Sequence, residues 1–217
     1  MFTSLLINFH QFKELFNNSG FRQAFRKAYY VDKEAVPVKK ELADAPPLGI
    51  PPGNPDYRFI EVTQEAIAGG ACHYRVKSRL LKTKTNMKHG FRAFAVVNGD
   101  TIIGDIWCAG RKTSRHARLH KDVDLLFLTP GPNDVYMFDM FIDPSERGKN
   151  IAVFLMGSSL DRLRELGFAN AFGYFEARNI PALWVHRTLK FTELNRVLFS
   201  RLFFFRTSRP ASRPVPR

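Results

Sequence analysis

Phe141-Ile142-Asp143-Pro144-Ser145-Glu146-Arg147-Gly148-Lys149-Asn150-Ile151-Ala152 is the stretch on which the reading of this chain turns. The apolar run 135–142 reads as a strand, and Pro144 ends it because proline cannot donate to a ladder. A short polar loop follows. Gly148 gives it backbone angles closed to other residues and allows a close approach of main chain to a ligand. A helix over about 150–166 starts at once. Its first amide N–H groups have no partner within the helix, and the helix dipole adds positive potential there. Arg147 and Lys149 add charge. Together these features build a site for an anion such as a pyrophosphate.

The pattern continues on both sides. Downstream come a strand over 169–176, a helix over 180–189 and a strand over 192–199, with 201–205 extending the sheet. Upstream, 91–97 and 101–109 read as a hairpin around Asn98-Gly99-Asp100, because Asn-Gly between apolar runs favours a turn with positive φ. A basic loop over 110–121 and a short strand over 125–128 follow the hairpin. Before it, 57–62 reads as a strand and 63–81 as a helix weakened at Gly69-Gly70. A hairpin followed by strand–helix–strand–helix–strand predicts an α/β (mixed α+β) fold, with helices flanking a mixed, mostly antiparallel sheet.

Three segments result. Residues 1–56 hold a helical N-terminal part and a proline-rich linker, 57–206 form the main domain, and 207–217 read as a disordered basic tail. In 2–30, Phe2, Leu5, Leu6, Phe9, Phe12, Leu15 and Phe16 recur at helical spacing. That face packs on the domain or a partner chain, or lies on an anionic membrane with Arg22, Arg26 and Lys27 beside it. The linker, 32–56, is expected to run extended over the surface, because its proline clusters exclude a helix or a central strand.

The motif resembles the signature of the GNAT superfamily of acyl-CoA-dependent N-acyltransferases. That signature is Arg or Gln, two residues, Gly, one residue, then Gly or Ala, approached by a strand ending in an apolar residue, any residue and Pro. Arg147, Asn150 and Ala152 fall on the signature, and Ile142 and Pro144 on the approach. Asn150 replaces the usual Gly, and Asn is the residue after Gly that best tolerates a left-handed backbone. A later family element, entered by an Asn and ending in Gly-Phe, is similar to Asn179 through Phe191. Asn179 and Ala182 match it, His186 stands where Tyr is usual, and Lys190 where Gly is usual. The resemblance covers about 91–199.

It implies a sheet splayed open beside the 135–142 strand, with acetyl-CoA or another acyl-CoA in the gap and no metal. The amides of Met140 and Ile142 would hold the acyl-pantetheine end. Those of Arg147, Gly148, Lys149, Asn150, Ile151 and Ala152 would hold the pyrophosphate, and Asn179 the pantetheine. An amine would attack the thioester directly, with strand amides stabilising the oxyanion. Asp139 and Glu176 are the candidates for general base, and His186 for the acid that protonates the thiolate. Asp105 and Tyr136 are further candidates, while Asp161 and Glu165 read as solvated.

Composition sets the outer bounds. A formal charge of +13 and 33 Lys and Arg against 20 Asp and Glu favour anionic partners. An anionic amine acceptor fits that balance, since the basic segment 110–121 precedes the acyl-CoA strand. Cys72 and Cys108 lack CxxC spacing, which speaks against a zinc site or disulfide framework. The N-terminus lacks a basic region and cleavage site, so a cytoplasmic location is the expectation. No GxGxxG or GxxxxGK[ST] occurs. Two rival readings remain: a domain that binds acyl-CoA or a partner without turnover, and a basic nucleic-acid-binding protein. The second has no helix-turn-helix, zinc or RNP pattern behind it. Monomer and homodimer are both open.

Overall fold

The computed structural model describes residues 30–43, 45–111, 119–202 and 205–211. The described strands are β1 (Tyr30–Glu41), β2 (Tyr57–Val62), β3 (His73–Tyr74), β4 (Arg92–Asn98), β5 (Thr101–Gly110), β6 (Asp134–Ile142), β7 (Asn170–Glu176), β8 (Thr192–Glu193), β9 (Val197–Leu202) and β10 (Phe205–Pro210). The helices are α1 (Gln64–Ala68), α2 (Lys77–Lys88), α3 (Lys121–Leu125), α4 (Ile151–Glu165) and α5 (Ile180–Thr188). The sheet runs β10-β9-β1-β7-β6-β5-β4-β2, with β3 beside β5 and β8 beside β1. Among the described strands only β6 with β7 and β3 with β5 pair in parallel. This is the mixed, mostly antiparallel architecture that the strand pattern predicts.

One face of the sheet packs on α4. Phe154, Leu155, Leu160 and Leu163 of that helix bury against Phe94, Val96, Ile103 and Ile106. Leu155, Leu160 and Leu163 recur at helical spacing, so one face of α4 supplies the layer. Beside it, Val36, Val38 and Phe175 pack with Ala182 and Leu183 of α5. Fully burying each Val, Leu, Ile or Phe among them contributes about 1.5–3 kcal/mol. The other face carries α1 and α2, around Ala93, Val97, Ile102 and Trp107.

The division at residue 57 is corrected. The expected linker begins inside β1, an inner strand paired with β7 on one side and with β9 and β8 on the other. Ala35, Val36 and Val38 are buried in it. Pro37 hid this strand, because an inner-strand proline forfeits a ladder bond. Here the forfeited bond falls at a break. β9 pairs with β1 only up to Ala35, and β8 takes over at Val38. The Pro37 carbonyl still accepts from the Leu194 amide at 2.8 Å. The main domain therefore starts by Tyr30.

Other expectations change too. The 63–81 helix is interrupted, with Gly70 at φ 73° closing α1 and a new helix starting at Lys77. Residues 125–128 are not a strand, because α3 occupies Lys121–Leu125, capped by His120 accepting from the Asp122 amide. The hairpin turn has positive φ at Gly99 but not at Asp100, the II′ pattern rather than I′. The tail expected to be disordered from 207 instead continues β10, which pairs with β9 from Phe205 to Pro210. The helical reading of 2–29, most of the basic loop and the end of the tail fall outside the described residues, and Tyr30 begins β1 rather than ending a helix.

The proline-rich remainder of the linker is a strap across α4. The Asp161 carboxylate accepts from the Leu48 amide at 2.8 Å and the Gly49 amide at 3.1 Å. Arg164 donates to the Ala45 carbonyl at 2.7 Å. Ile50 fills a notch at Gly157, where an added Cβ would stand 2.6 Å from Ile50 Cγ1. Asp161 is therefore not merely solvated. Asp161→Ala is expected to cost about 1–2 kcal/mol, since two amides lose their acceptor. Chemical denaturation together with limited proteolysis reads this, and unchanged cleavage within 45–55 would refute the anchoring role.

Candidate active site

β6 and β7 pair only from Asp134 to Tyr136 and from Asn170 to Phe172. Beyond that point both strands continue without pairing to each other, so the sheet opens between 137–142 and 173–176. Gly173 stands at the opening, where a Cβ would come 3.2 Å from the Met137 carbonyl oxygen. The amides that face this gap follow from strand geometry. The Asp143 amide donates to the Ile103 carbonyl of β5 at 2.8 Å. Successive amides in a strand alternate sides, so Phe141 also faces β5 and Met140 and Ile142 face the gap.

A bulge sets that alternation. Trp107 pairs with Phe138, but Asp105 pairs with Phe141, so Asp139 and Met140 together oppose Ile106. Asp139 carries the extra residue's backbone at φ 54°. Two elements hold it. Arg79 of α2 donates to Asp139 Oδ2 at 3.0 Å and to its carbonyl at 3.2 Å. Lys82 reaches the same carboxylate at 2.7 Å.

The loop that follows is self-supporting. Asp143 accepts from the Ser145 amide and hydroxyl at 3.0 and 2.7 Å, and these bonds hold its carboxyl below the usual range despite its burial. Gly148 sits at φ 82° and Asn150 at φ 60°, ψ 10°. Asn150 thus takes the left-handed conformation its side chain tolerates. It is the N-cap of α4, and the Phe154 amide is bonded back to its carbonyl. The amides of Ile151, Ala152 and Val153 precede that first intrahelical bond and have no helical acceptor. No acid lies in the first turn of α4. Lys149 turns away from this role, since its Nζ donates to Glu146 at 2.8 Å. Glu146 also accepts from the Tyr57 hydroxyl at 2.9 Å. Gly53 of the strap lies against the Lys149 carbonyl.

The three proton-transfer candidates surround the gap differently. Asp139 lies on β6 and is committed to two cations. Glu176 ends β7 and meets Lys33 at 2.6 Å in a half-exposed pair. It alternates with Phe175, which packs on α5, so Glu176 faces away from α4 and α5. His186 is buried on α5, stacked on Phe175 and edge-on to Phe191, each at 4.9 Å. Its Nδ1 lies 2.7 Å from the Ala182 carbonyl, so Nδ1 carries the proton and donates. Burial lowers its pKa, the Ala182 bond opposing this, and the ring is neutral near pH 7 with Nε2 as a lone-pair acceptor. That state disfavours the acid role expected of it.

The pH dependence follows. The unfolded chain protonates His186 near about 6.5, while the folded ring holds out to lower pH. The unfolded state therefore binds more protons in that window. The stability from His186 is present above about 6.5 and lost as pH falls below it. His186→Gln is expected to flatten the melting-temperature decline between about pH 7 and 5, and parallel curves for the two proteins would refute it.

Asn179 caps α5 by accepting from the Ala182 amide at 3.2 Å, which leaves its NH2 to donate. Asp105 lies at the middle of β5, fully buried, and accepts from Arg79, from the Tyr74 hydroxyl at 2.9 Å and from the Trp107 ring N–H at 3.3 Å. Sequence reading gave it only a weak claim. Arg79 was missed altogether, since an arginine on a basic helix looks like a solvated one. Tyr136 is buried with no partner for its hydroxyl among the described residues, and burial raises its pKa well above the ordinary value. Among the described residues no cluster of His, Cys, Asp or Glu is suited to a metal ion.

The profile of the Acetyltransferase (GNAT) family matches residues 72–191. Solved structures resemble the fold. A GCN5-related glucosamine N-acetyltransferase region of a fungal multi-domain GH3 beta-N-acetylglucosaminidase superposes with a TM-score of 0.54 at 12% identity, over 86% of this chain and 22% of that one. A GCN5-related N-acetyltransferase from Sphaerobacter thermophilus gives 0.51 at 14% identity, over 84% and 56%. A GNAT-family protein from Novosphingobium aromaticivorans gives 0.50 at 12% identity, over 79% and 64%. This chain thus spans less than two thirds of either bacterial structure. No curated protein matches it.

Proposed function

Because the chain belongs to the Acetyltransferase (GNAT) family, we propose that it moves an acetyl or other acyl group from acyl-CoA to a primary amine by direct attack. The observation that carries this reading is the gap. Met140 and Ile142 present amides to it, and the left-handed Asn150 leads into amides at the start of α4 that have no acceptor within the helix. This donor set fits a thioester carbonyl at one end and a pyrophosphate at the other. The co-substrate supplies an activated acyl group on a thiol leaving group.

The chain's own residues supply the rest. The Met140 and Ile142 amides hold and polarise the acyl end. The 147–152 amides, with Arg147, hold the phosphates. Lys149 contributes through its backbone, because its charge is spent on Glu146. Glu176 is the better base. Its partner Lys33 is half exposed and exchanges readily, whereas Asp139 is held by two cations. Water protonates the leaving thiolate, since the His186 N–H is committed to Ala182. The excess of basic side chains favours an amine that also carries negative charge.

The test is a thermal shift with acetyl-CoA, CoA and a longer acyl-CoA on the native chain and on Arg147→Glu. Ligand at a hundred times its dissociation constant stabilises by about 2.7 kcal/mol, or several degrees. A shift that vanishes in Arg147→Glu supports the site, and no shift with any of the three sinks it. Glu176→Gln is then expected to lower kcat about 10²–10⁴-fold on an amine found by screening. His186, at the position of the family's acid, favours one rival reading, binding without turnover. That reading is chosen if acyl-CoA binds but no amine in an anionic and neutral panel is acylated.

A further inference from the structure

A buried ion cluster beside the gap has no part in the proton transfers above. Arg79 has a side chain only 7% exposed, and its guanidinium reaches Asp105 on β5 and Asp139 on β6. It also bonds the Asp139 carbonyl and lies 5.0 Å over the Phe141 ring. The guanidinium therefore grips β6 at the bulged Asp139 and at Phe141, the residue just after the bulge. Asp105, the other end of the grip, is closed off by Tyr74 and Trp107. Burial works against the charge on Arg79, but Asp105 first and Asp139 second outweigh it and hold its pKa above the ordinary value.

A buried ion pair is weak as a stabiliser, because apolar residues of the same volume often serve as well. What it does well is fix one geometry. Here the geometry is an aspartate in a left-handed conformation, and an extra residue in β6 opposite Ile106. Without that extra residue the register from Asp105 onward shifts by one, and Met140 and Ile142 turn their amides to β5. We propose that Arg79, clamped by Asp105, is a positioning residue that keeps β6 bulged and so keeps the Met140 and Ile142 amides aimed at the acyl carbonyl. This rests on the acyl-CoA reading above.

The experiment measures calorimetric affinities for acetyl-CoA and for CoA on the full chain. The variants are Arg79→Gln with Asp105→Asn, which removes both charges together, and the same pair with Asp139→Gly added. Glycine takes the left-handed backbone without help. The pair is expected to weaken acetyl-CoA about tenfold more than CoA, which has no acyl carbonyl to lose. Adding Asp139→Gly is expected to recover most of that selectivity. Equal weakening of both ligands, no weakening, or no recovery overturns the proposal. Should the paired variant fail to fold, Arg79→Lys, which keeps the charge and loses the fork, is expected to show the same selective loss. Should the native chain bind neither ligand, the acyl-CoA reading is what falls. The grip is then read from amide exchange over 137–143, expected to speed up in the paired variant and slow again with Asp139→Gly. Unchanged exchange overturns it.

Discussion

Asp105→Ala is expected to destabilise the chain by about 3–5 kcal/mol, the cost of leaving a buried charge without its partner. Three donors lose their acceptor at once. Arg79 keeps only Asp139, and the Tyr74 hydroxyl and Trp107 ring N–H lose the bonds they make to Asp105. Asp105 is fully buried, so water cannot replace the carboxylate without opening the sheet. A chain of this size loses about 2–4 °C of melting temperature per kcal/mol, which makes the expected drop about 6–20 °C. Asp105→Asn, which keeps the shape and one acceptor, is expected to lose less. Differential scanning calorimetry reads both. An Ala variant within 2 °C (about 1 kcal/mol) of the native chain would mean that the cluster is far wetter than its burial indicates.

The second large effect is expected at Gly148, and it falls on binding rather than folding. Gly148 holds φ 82°, where a β-branched residue is strained by roughly 1–2 kcal/mol. Among the described residues a Cβ there meets nothing within 4 Å, so the strain of Gly148→Val lies in the backbone. The loop instead relaxes toward negative φ and moves its amides. Losing one or two charge-assisted bonds at about 1.5–3 kcal/mol each weakens acetyl-CoA by about 10–10⁴-fold, while the melting temperature of the free chain falls little. Gly148→Asn, which tolerates the left-handed region, is expected to retain most of the affinity. Calorimetric titration of the two variants tests this, and equal affinities would show that the glycine's conformation is not what presents the amides.

The local pieces of this site were legible because each is settled within a few residues. Pro144 stops β6, Gly148 and Asn150 take positive φ, and α4 begins where the apolar period begins. Asn179 caps α5 as an Asn before a proline-led helix does. The family resemblance drew on these same short-range constraints, and the antiparallel hairpin came from Asn98-Gly99. The proton-transfer assignments drew on residue type and position alone, and partners decide those. Asp139 looks like a base until Arg79 and Lys82, more than fifty residues earlier in the chain, are seen to hold it. His186 looks like an acid until its Nδ1 proton is found donated to the Ala182 carbonyl.

The sequence by itself determined the hairpin around Asn98-Gly99, the strand–helix–strand–helix order over 134–188, the positive-φ loop before α4 and the family. The tertiary structure decided the rest. It placed β1 in the interior of the sheet, because a proline is harmless where β9 ends and β8 begins. It turned 45–55 into a strap on Asp161 and Gly157. It also gave Asp139 its bulge, through an arginine whose neighbours no local pattern reveals. The physical reason is common to all three. Backbone angles and caps answer to adjacent residues, whereas a ladder break, a notch and a buried charge answer to groups that only the folded chain brings together.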